Sequence, residues 1–222
     1  MGSVLRLCAA LVLSALLAGC AVEEVHTATQ EDIRAAVYSD GGPPSLTLYT
    51  MVSNSTGQGA HTSLLINGSQ IVAWDPAGSF RAPGIVAKED VIYGMSPQMV
   101  DYYTRFHARE TYHVIIQKLP VSAEVAEQAL QAAMAHGAAP KATCAQSTSR
   151  ILQSLPGFEA IQPTYYPVKL HQQFAAYGPE EQKLFEYDGD DKSKVLAEYN
   201  AALVAETRAR RKAEGTTVAT KN

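Results

Sequence analysis

The side chain in this sequence that is best suited to covalent chemistry is the thiol of Cys144. The chain has three cysteines, and two of them, Cys8 and Cys20, lie in an apolar N-terminal segment. A cysteine without a disulfide partner is either a small buried core residue or a residue kept for its reactivity. The stretch around it, KATCAQSTSRIL, lies between Pro140 and the Leu-Pro-Gly of 155–157, which predicts a helix of about three turns.

The predicted position of Cys144 within this helix has chemical consequences. Thr143 and Gln146 match the T-x-x-Q capping box, which would make Thr143 the N-cap and Cys144 the first helical residue. A thiolate at a helix N-terminus is stabilised by the partial positive charge there, so its pKa falls below the usual value of about 8.5. The same N–H groups are suited to hold the oxyanion of a tetrahedral intermediate.

A thiolate nucleophile needs a base, and the sequence offers six histidines. His61 is the best candidate because it opens a predicted strand directly after GQGA, where small residues leave room for a ligand or a helix near its ring. The other five lie in a polar N-terminal stretch, beside the start of a strand, in the last turn of a helix or in an unpatterned region; they are His26, His107, His113, His136 and His171.

The elements that must position these residues follow from local patterns. LTLYTMV predicts a strand, and HTSLLI, NGS and QIVAWD predict a β-hairpin in which Asn-Gly supplies the positive φ of a tight turn. YHVIIQKL predicts a further strand that Pro120 ends. A helix is predicted to begin after Ser122 as N-cap and to stop at Gly137, and a charged, exposed helix is predicted near the C-terminus.

Two residues are candidates for the group that orients the histidine. If the hairpin turns around 67–69, residues whose numbers sum to about 136 face each other, which brings Asp75 close to His61. A slip of one residue would put Trp74 there instead. Asp75 is followed by Pro76 and is equally suited to initiate a turn, so His113 on the next strand is the alternative.

Three segments together resemble a known family: GAHTSLLINGSQIVAWDPAGSF, YHVIIQKLPVSAEVAEQAL and TCAQSTSRIL. They look like the circularly permuted branch of the NlpC-type, papain-like cysteine hydrolases, relatives of the lecithin:retinol acyltransferase-like proteins. The resemblance covers about 57–158 and implies an α+β, circularly permuted papain-like fold with an antiparallel sheet packed against helices. It implies Cys144 as nucleophile and His61 as base. The chain departs from the family pattern at Thr143, often Asn, and at Ala73, commonly a polar orienting residue, which leaves the third member open.

The N-terminus carries the pattern of an exported lipoprotein. One cation at Arg6, an apolar run and LAGC at 17–20 predict a signal peptide over 1–19 and a lipidated Cys20. We expect a lipid-anchored protein of the bacterial cell envelope, on the periplasmic face of the outer membrane if the organism is Gram-negative. The predicted organisation is a tether over 20–44, a hydrolase domain over 45–178, and a charged C-terminal helix and tail over 179–222.

These patterns favour a cell-envelope cysteine peptidase or amidase that cleaves an amide bond, with peptidoglycan stem peptides as the substrate within reach. A second hypothesis is an acyl ester or thioester hydrolase or acyltransferase acting on lipid. Under either hypothesis Trp74, Phe80 and the tyrosines at 102–103 would line the peptide cleft or the acyl groove, unless they are core. A third is an inactive lipoprotein that serves as a binding module. The net charge of −4 argues against a nucleic-acid partner, and the chain has no metal-binding motif, so we expect no cofactor.

Overall fold

The computed structural model describes residues 28–78, 80, 84–185, 189–203 and 205. The predicted signal peptide, the predicted lipidation site Cys20 and His26 lie outside the described residues. None of the described helices has the length and apolar character of a membrane span.

The centre of the fold is one antiparallel sheet of seven strands in the order β4-β5-β3-β2-β1-β6-β7. In chain order the strands are β1 Ser45–Ser53, β2 Gly59–Asn67, β3 Ile71–Trp74, β4 Val86–Lys88, β5 Val91–Tyr93, β6 Tyr112–Pro120 and β7 Glu180–Leu184. The helices are α1 Gln30–Ala36, α2 Pro97–His107, α3 Ala123–His136, α4 Cys144–Gln153, α5 Pro167–Ala175 and α6 193–203. The predicted α+β class with helices packed on an antiparallel sheet is confirmed.

Successive side chains of the central strands point to opposite faces of the sheet, and apolar side chains lie on both faces. Helices therefore cover both faces. One face carries Leu46, Leu48, Leu64 and Trp74, and it packs against apolar side chains of α3, α4 and α5. The other face packs against α2 and α6 through a second apolar cluster; its members include Tyr49, Met51, Ala73, Met99, Tyr102, Tyr103, Phe106, Val195 and Tyr199. Removing this much apolar surface from water is the main stabilising contribution to the three layers.

The first 17 described residues, part of the predicted tether over 20–44, contain a helix that the sequence analysis did not expect. Helix α1 starts at a capping box in which Thr29 and Asp32 bond each other's backbone N–H groups. Ile33 is buried in the core, and the N–H of Ala28 donates to the carbonyl of Ala87 next to β4. Ile33, together with Ala28, Ala36 and Tyr38, which pack against the core, holds the segment on the domain.

The predicted boundary at 178/179 also falls inside the folded unit. Strand β7 pairs with β6 at the edge of the sheet. Helix α6, predicted as charged and exposed, has a buried face: the Tyr199 ring stacks on Tyr102 at 4.4 Å between centroids, and Arg105 Nη2 lies 2.6 Å from Glu198 Oε2. Alternating charged and apolar residues thus form an amphipathic helix that packs on α2.

Candidate active site

Cys144 is the first residue of helix α4, as predicted. The predicted capping box is wrong, since the Thr143 hydroxyl donates to the carbonyl of Pro140 at 2.6 Å instead of accepting a bond from the helix. Ala142, two residues before the cysteine, has a φ of +62°, a conformation that non-glycine residues rarely adopt. The chain therefore enters α4 through a strained bend that leaves the N–H groups of the first turn uncapped by Thr143.

The Cys144 thiol is a free cysteine with a side chain mostly shielded from water, the residue being 9% exposed. Burial by itself raises the pKa of this thiol, but a hydrogen bond to the His61 ring, the charge of that ring and the backbone N–H groups of Thr62 and Ala145 together lower the pKa below its usual value. The surroundings therefore stabilise the thiolate more than water stabilises that of a free cysteine.

The N–H of Thr62 reaches the sulfur because β2 is longer than β3. Residues 59–63 of β2 pair with β1, but β3 pairs only with Leu64–Asn67. On that side the start of β2 lacks a neighbouring strand, and the N-terminus of α4 occupies the space. A backbone donor that would otherwise serve the sheet thus serves the thiolate.

His61 lies on β2 where GQGA predicted room for a ligand or a helix. The room is taken by a helix: a Cβ built on Gly59 would lie 2.7 Å from Cβ of Pro167, the first residue of α5. Burial by itself lowers the pKa of His61, but the negative charges and hydrogen bonds of Asp75 and Cys144 raise it to about 10. At neutral pH the ring is therefore a half-buried imidazolium beside the Asp75 carboxylate.

Asp75 contacts His61, with 2.7 Å between its Oδ1 and Nε2 of the ring. Burial by itself raises the pKa of this carboxyl, but the charge and hydrogen bond of His61 outweigh it and lower the pKa. Because Nε2 faces Asp75, Nδ1 is the ring nitrogen left for the sulfur of Cys144. The structure thus brings Cys144, His61 and Asp75 into one group, in which His61 bonds Asp75 and interacts electrostatically with Cys144.

The contact between His61 and Asp75 forms even though the predicted hairpin register is wrong. The loop spans 68–70, and Leu64 pairs with Trp74, so facing residues sum to 138 rather than 136. A shift of two residues keeps every side chain on its own face, so Asp75 stays on the face of His61. Gly68 does not have a positive φ; a Cβ there would lie 3.3 Å from the carbonyl oxygen of Ala126, so glycine permits the approach of α3.

Asp75 both contacts His61 and initiates a turn. The N–H of Gly78 donates to the carbonyl of Asp75, and Ala77 has a φ of +54°. A Cβ built on Gly78 would lie 2.0 Å from Oδ2 of Asp75. The turn therefore folds back over the carboxylate and fixes its orientation.

The sequence analysis missed Tyr103, which supports the same carboxylate. Its hydroxyl donates to Oδ1 of Asp75 at 2.9 Å and bonds Oγ of Ser63 at 2.7 Å. Tyr103 lies on helix α2, which begins after the N-cap Ser96 with Pro97 as its first residue. The Ser-Pro pair is a recognisable helix start, but nothing in the sequence indicates which strand this helix packs against.

His107, four residues after Tyr103 on α2, was also missed as a member of the site. Its ring stacks on that of His61 with 6.2 Å between centroids. Burial lowers the pKa of His107 to about 4, so this ring is neutral. Its Nδ1 lies 2.8 Å from the carbonyl oxygen of Tyr103, which must accept, so Nδ1 carries the proton and Nε2 a lone pair.

His113, the alternative orienting residue, is used elsewhere. Its Nδ1 lies 2.7 Å from Oδ1 of Asn54, and its ring stacks on Phe185.

The aromatic residues considered for a substrate groove are core: Trp74, Phe80, Tyr102 and Tyr103 are at most 2% exposed. Among the described residues, no group of three or more His, Cys, Asp or Glu side chains is placed to hold a metal ion.

A cavity of about 330 Å³ opens beside His61 on the side of His107. Its walls come from the start of β2, the turn at 77–78, the end of α2 and the loops that precede β6 and α6.

Compared with protein-family models, curated protein sequences and solved structures, the chain gives no match in any of the three. The functional argument therefore depends on the geometry of the site.

Proposed function

We propose that this chain is a cysteine hydrolase that cleaves an amide bond through Cys144, His61 and Asp75. The observation that carries the proposal is the grouping of a helix-terminal thiol, an imidazole that lowers its pKa, and a buried carboxylate that lies 2.7 Å from that imidazole. A nucleophile, a base and an orienting group in this order are the parts that covalent acyl transfer requires. The cavity beside the imidazole supplies space for a substrate.

The residues support a two-step reaction. The Cys144 thiolate attacks the carbonyl carbon, and the electron pair of the C=O bond moves to oxygen, where first-turn N–H groups of α4 stabilise the charge. The His61 imidazolium gives its proton to the leaving amine as the C–N bond breaks. In the second step His61, now neutral, takes a proton from a water molecule, and the water oxygen attacks the thioester carbon. The C–S bond then breaks, the carboxylic acid leaves, and the Cys144 thiolate and the His61 imidazolium are restored.

The order of the residues supports the finer assignment to a permuted papain-like architecture. His61 lies on an early strand, Asp75 follows on the return strand of the hairpin, and Cys144 comes later at the start of a helix. This is the order that the sequence resemblance implies. In this proposal Asp75 is the orienting residue. In the family pattern that role belongs to another polar residue, which lies earlier on the strand.

The compartment suggests the substrate. The predicted signal peptide and lipidated Cys20 would hold the domain at the cell envelope, with the outer membrane as the anchor in a Gram-negative organism. Peptidoglycan stem peptides are the amides available there, and we propose them as the substrate class. Trp74, Phe80, Tyr102 and Tyr103 are buried, so they line neither a peptide cleft nor an acyl groove.

The test is to incubate the purified chain with peptidoglycan fragments and, separately, with acyl esters and thioesters, and to search for a mass adduct on Cys144. An adduct from muropeptides, absent from Cys144→Ala, supports the proposal. An adduct from lipid esters alone would assign an acyl hydrolase or acyltransferase instead. No adduct, together with a thiol that reacts with iodoacetamide no faster than free cysteine, would assign a binding module.

A further inference from the structure

The cavity beside His61 lies on the leaving-group side of the site. His61 lines it together with Met51, Phe106, His107, Arg109 and Lys192, whereas Cys144 does not line it. In the proposed reaction the sulfur keeps the acyl group and the imidazole protonates the departing amine. The group that departs must therefore lie on the imidazole side, which is where this cavity is.

From this position and from the charges on its walls, we propose that the cavity is a leaving-group subsite that takes a small amine leaving group bearing a carboxylate. The inference rests on the proposed function, because it assigns the cavity to one product of that reaction. Its volume of about 330 Å³ is at the small end of ligand pockets, which run from about 300 to 1,000 Å³. A short leaving group therefore fits the cavity better than a long chain.

Lys192 is the cation that we assign to the anion. Its Nζ lies 3.9 Å from the centroid of the Phe106 ring, which fixes the ammonium against the cavity wall. Burial, followed by the charge of Arg109, lowers the pKa of Lys192, so the two cations are close enough to repel each other, and the charge of Asp190 offsets this only in part. Within the described part of the chain, no carboxylate oxygen lies within 4 Å of this ammonium.

The one carboxylate on the described cavity wall is held by the backbone. Asp190 Oδ1 accepts bonds from the N–H and the hydroxyl of Thr111 at 3.1 and 3.0 Å. The described lining thus contains two basic side chains, Arg109 and Lys192, against one acid, in addition to the imidazolium of His61. An anion that enters the cavity would reduce the repulsion among these cations.

His107 supplies an acceptor beside these cations. Its Nδ1–H donates to the carbonyl of Tyr103, so Nε2 of the neutral ring has a lone pair, and the ring lines the cavity. A leaving amine or amide has N–H groups that can donate to this nitrogen. The cavity therefore combines a cation for the anionic end with an acceptor for the nitrogen end of one small molecule.

The test measures binding of leaving-group mimics to the full chain carrying Cys144→Ala, by titration calorimetry. The probes are the dipeptide Ala-Ala, its C-terminal amide and glycerol 3-phosphate. We expect Ala-Ala to bind about five- to tenfold more tightly than the amide, and less so at high salt. Preference for Ala-Ala over its amide supports the subsite, whereas preference for glycerol 3-phosphate over Ala-Ala would assign a phospholipid site and overturn the inference.

Substitutions then assign the preference to Lys192. Lys192→Met should abolish the preference for Ala-Ala over its amide, and Lys192→Arg should retain that preference. Lys183→Met, which removes an exposed lysine of β7, should leave the preference unchanged. Equal binding of the three probes by the parent chain, or a preference that persists in Lys192→Met, would overturn the inference. Binding is measured on a chain without the thiol, whereas the hydrolase proposal is tested by the reactivity of the thiol. Failure of the subsite inference can therefore be told apart from failure of the hydrolase proposal.

Discussion

Nε2 of His61 lies 2.7 Å from Oδ1 of Asp75, although their strands pair two residues away from the register that would place them opposite each other. The contact forms because a shift of two keeps both side chains on one face, and because the turn after Asp75 directs its carboxylate toward the ring. This pair gives His61 its charge, and through His61 it acts on Cys144.

The first prediction concerns the charge of Asp75. Asp75→Ala should lower kcat/KM by about 10²- to 10⁴-fold, because the imidazole loses both its orientation and its counter-charge. Asp75→Asn should lower it less, since an amide oxygen still accepts the bond from Nε2–H. Steady-state hydrolysis of the substrate that labels Cys144 measures both, with the exposed Asp101→Asn as control. Equal activity of Asp75→Ala and the parent would contradict the role of Asp75.

The second prediction concerns stability in acid. The pKa of Asp75 is lowered by His61 in the folded chain, so its contribution to stability is fully present above its unfolded pKa of about 3.9 and is lost as the pH falls through the folded pKa. The free energy of unfolding in urea should therefore differ most between the parent and Asp75→Asn near pH 6. The difference should shrink below pH 4. A difference that grows on acidification would have the wrong sign.

The third prediction uses two neighbouring tyrosines as a matched pair. Tyr103→Phe removes a hydroxyl that bonds Asp75 and Ser63, and it should cost about 1–3 kcal/mol of unfolding free energy because buried partners lose a bond. Tyr102→Phe removes a buried hydroxyl with no hydrogen-bond partner among the described residues, so it should be close to neutral. Only Tyr103→Phe should also reduce kcat/KM. Equal effects of the two would show that the Tyr103 hydroxyl has no special role.

The fourth prediction concerns the turn that positions Asp75. Gly78→Ala places a methyl group where Oδ2 of Asp75 lies, so it should displace the carboxylate, reduce kcat/KM, and cost about 1–3 kcal/mol of stability. Gly57→Ala is the control: Gly57 has a φ of +70° and open space around it, so alanine should cost about 1 kcal/mol of backbone strain without loss of activity. Full activity of Gly78→Ala would mean that this turn does not set the carboxylate.

The features of the fold that could be predicted from the sequence are those that depend on neighbouring residues. The start of α4 at Cys144 follows from Pro140 and the small polar residues that precede the helix, and the β2–β3 hairpin follows from two β-rich runs around Asn67. The side of β2 on which His61 and Asp75 meet follows from strand alternation. These signals all lie within a few residues of the element that they define.

What the sequence did not predict depends on contacts between distant segments. Tyr103 and His107 join the site because α2 packs on one particular face of the sheet, and no short pattern specifies that face. Helix α1 is held mainly by the burial of Ile33, one apolar residue in a polar stretch. The capping box at Thr143 does not form: the backbone of Thr143 is not in the extended conformation of an N-cap, and its hydroxyl donates to the carbonyl of Pro140.

The central claim, that Cys144 is a thiolate paired with the His61 imidazolium, is tested most directly by the rate of its alkylation with iodoacetamide as a function of pH. We predict a half-maximal rate well below the value of about 8.5 for free cysteine, and a shift toward that value in His61→Gln, because the ring stabilises the thiolate. A midpoint at or above that of free cysteine, unchanged in His61→Gln, would contradict the account.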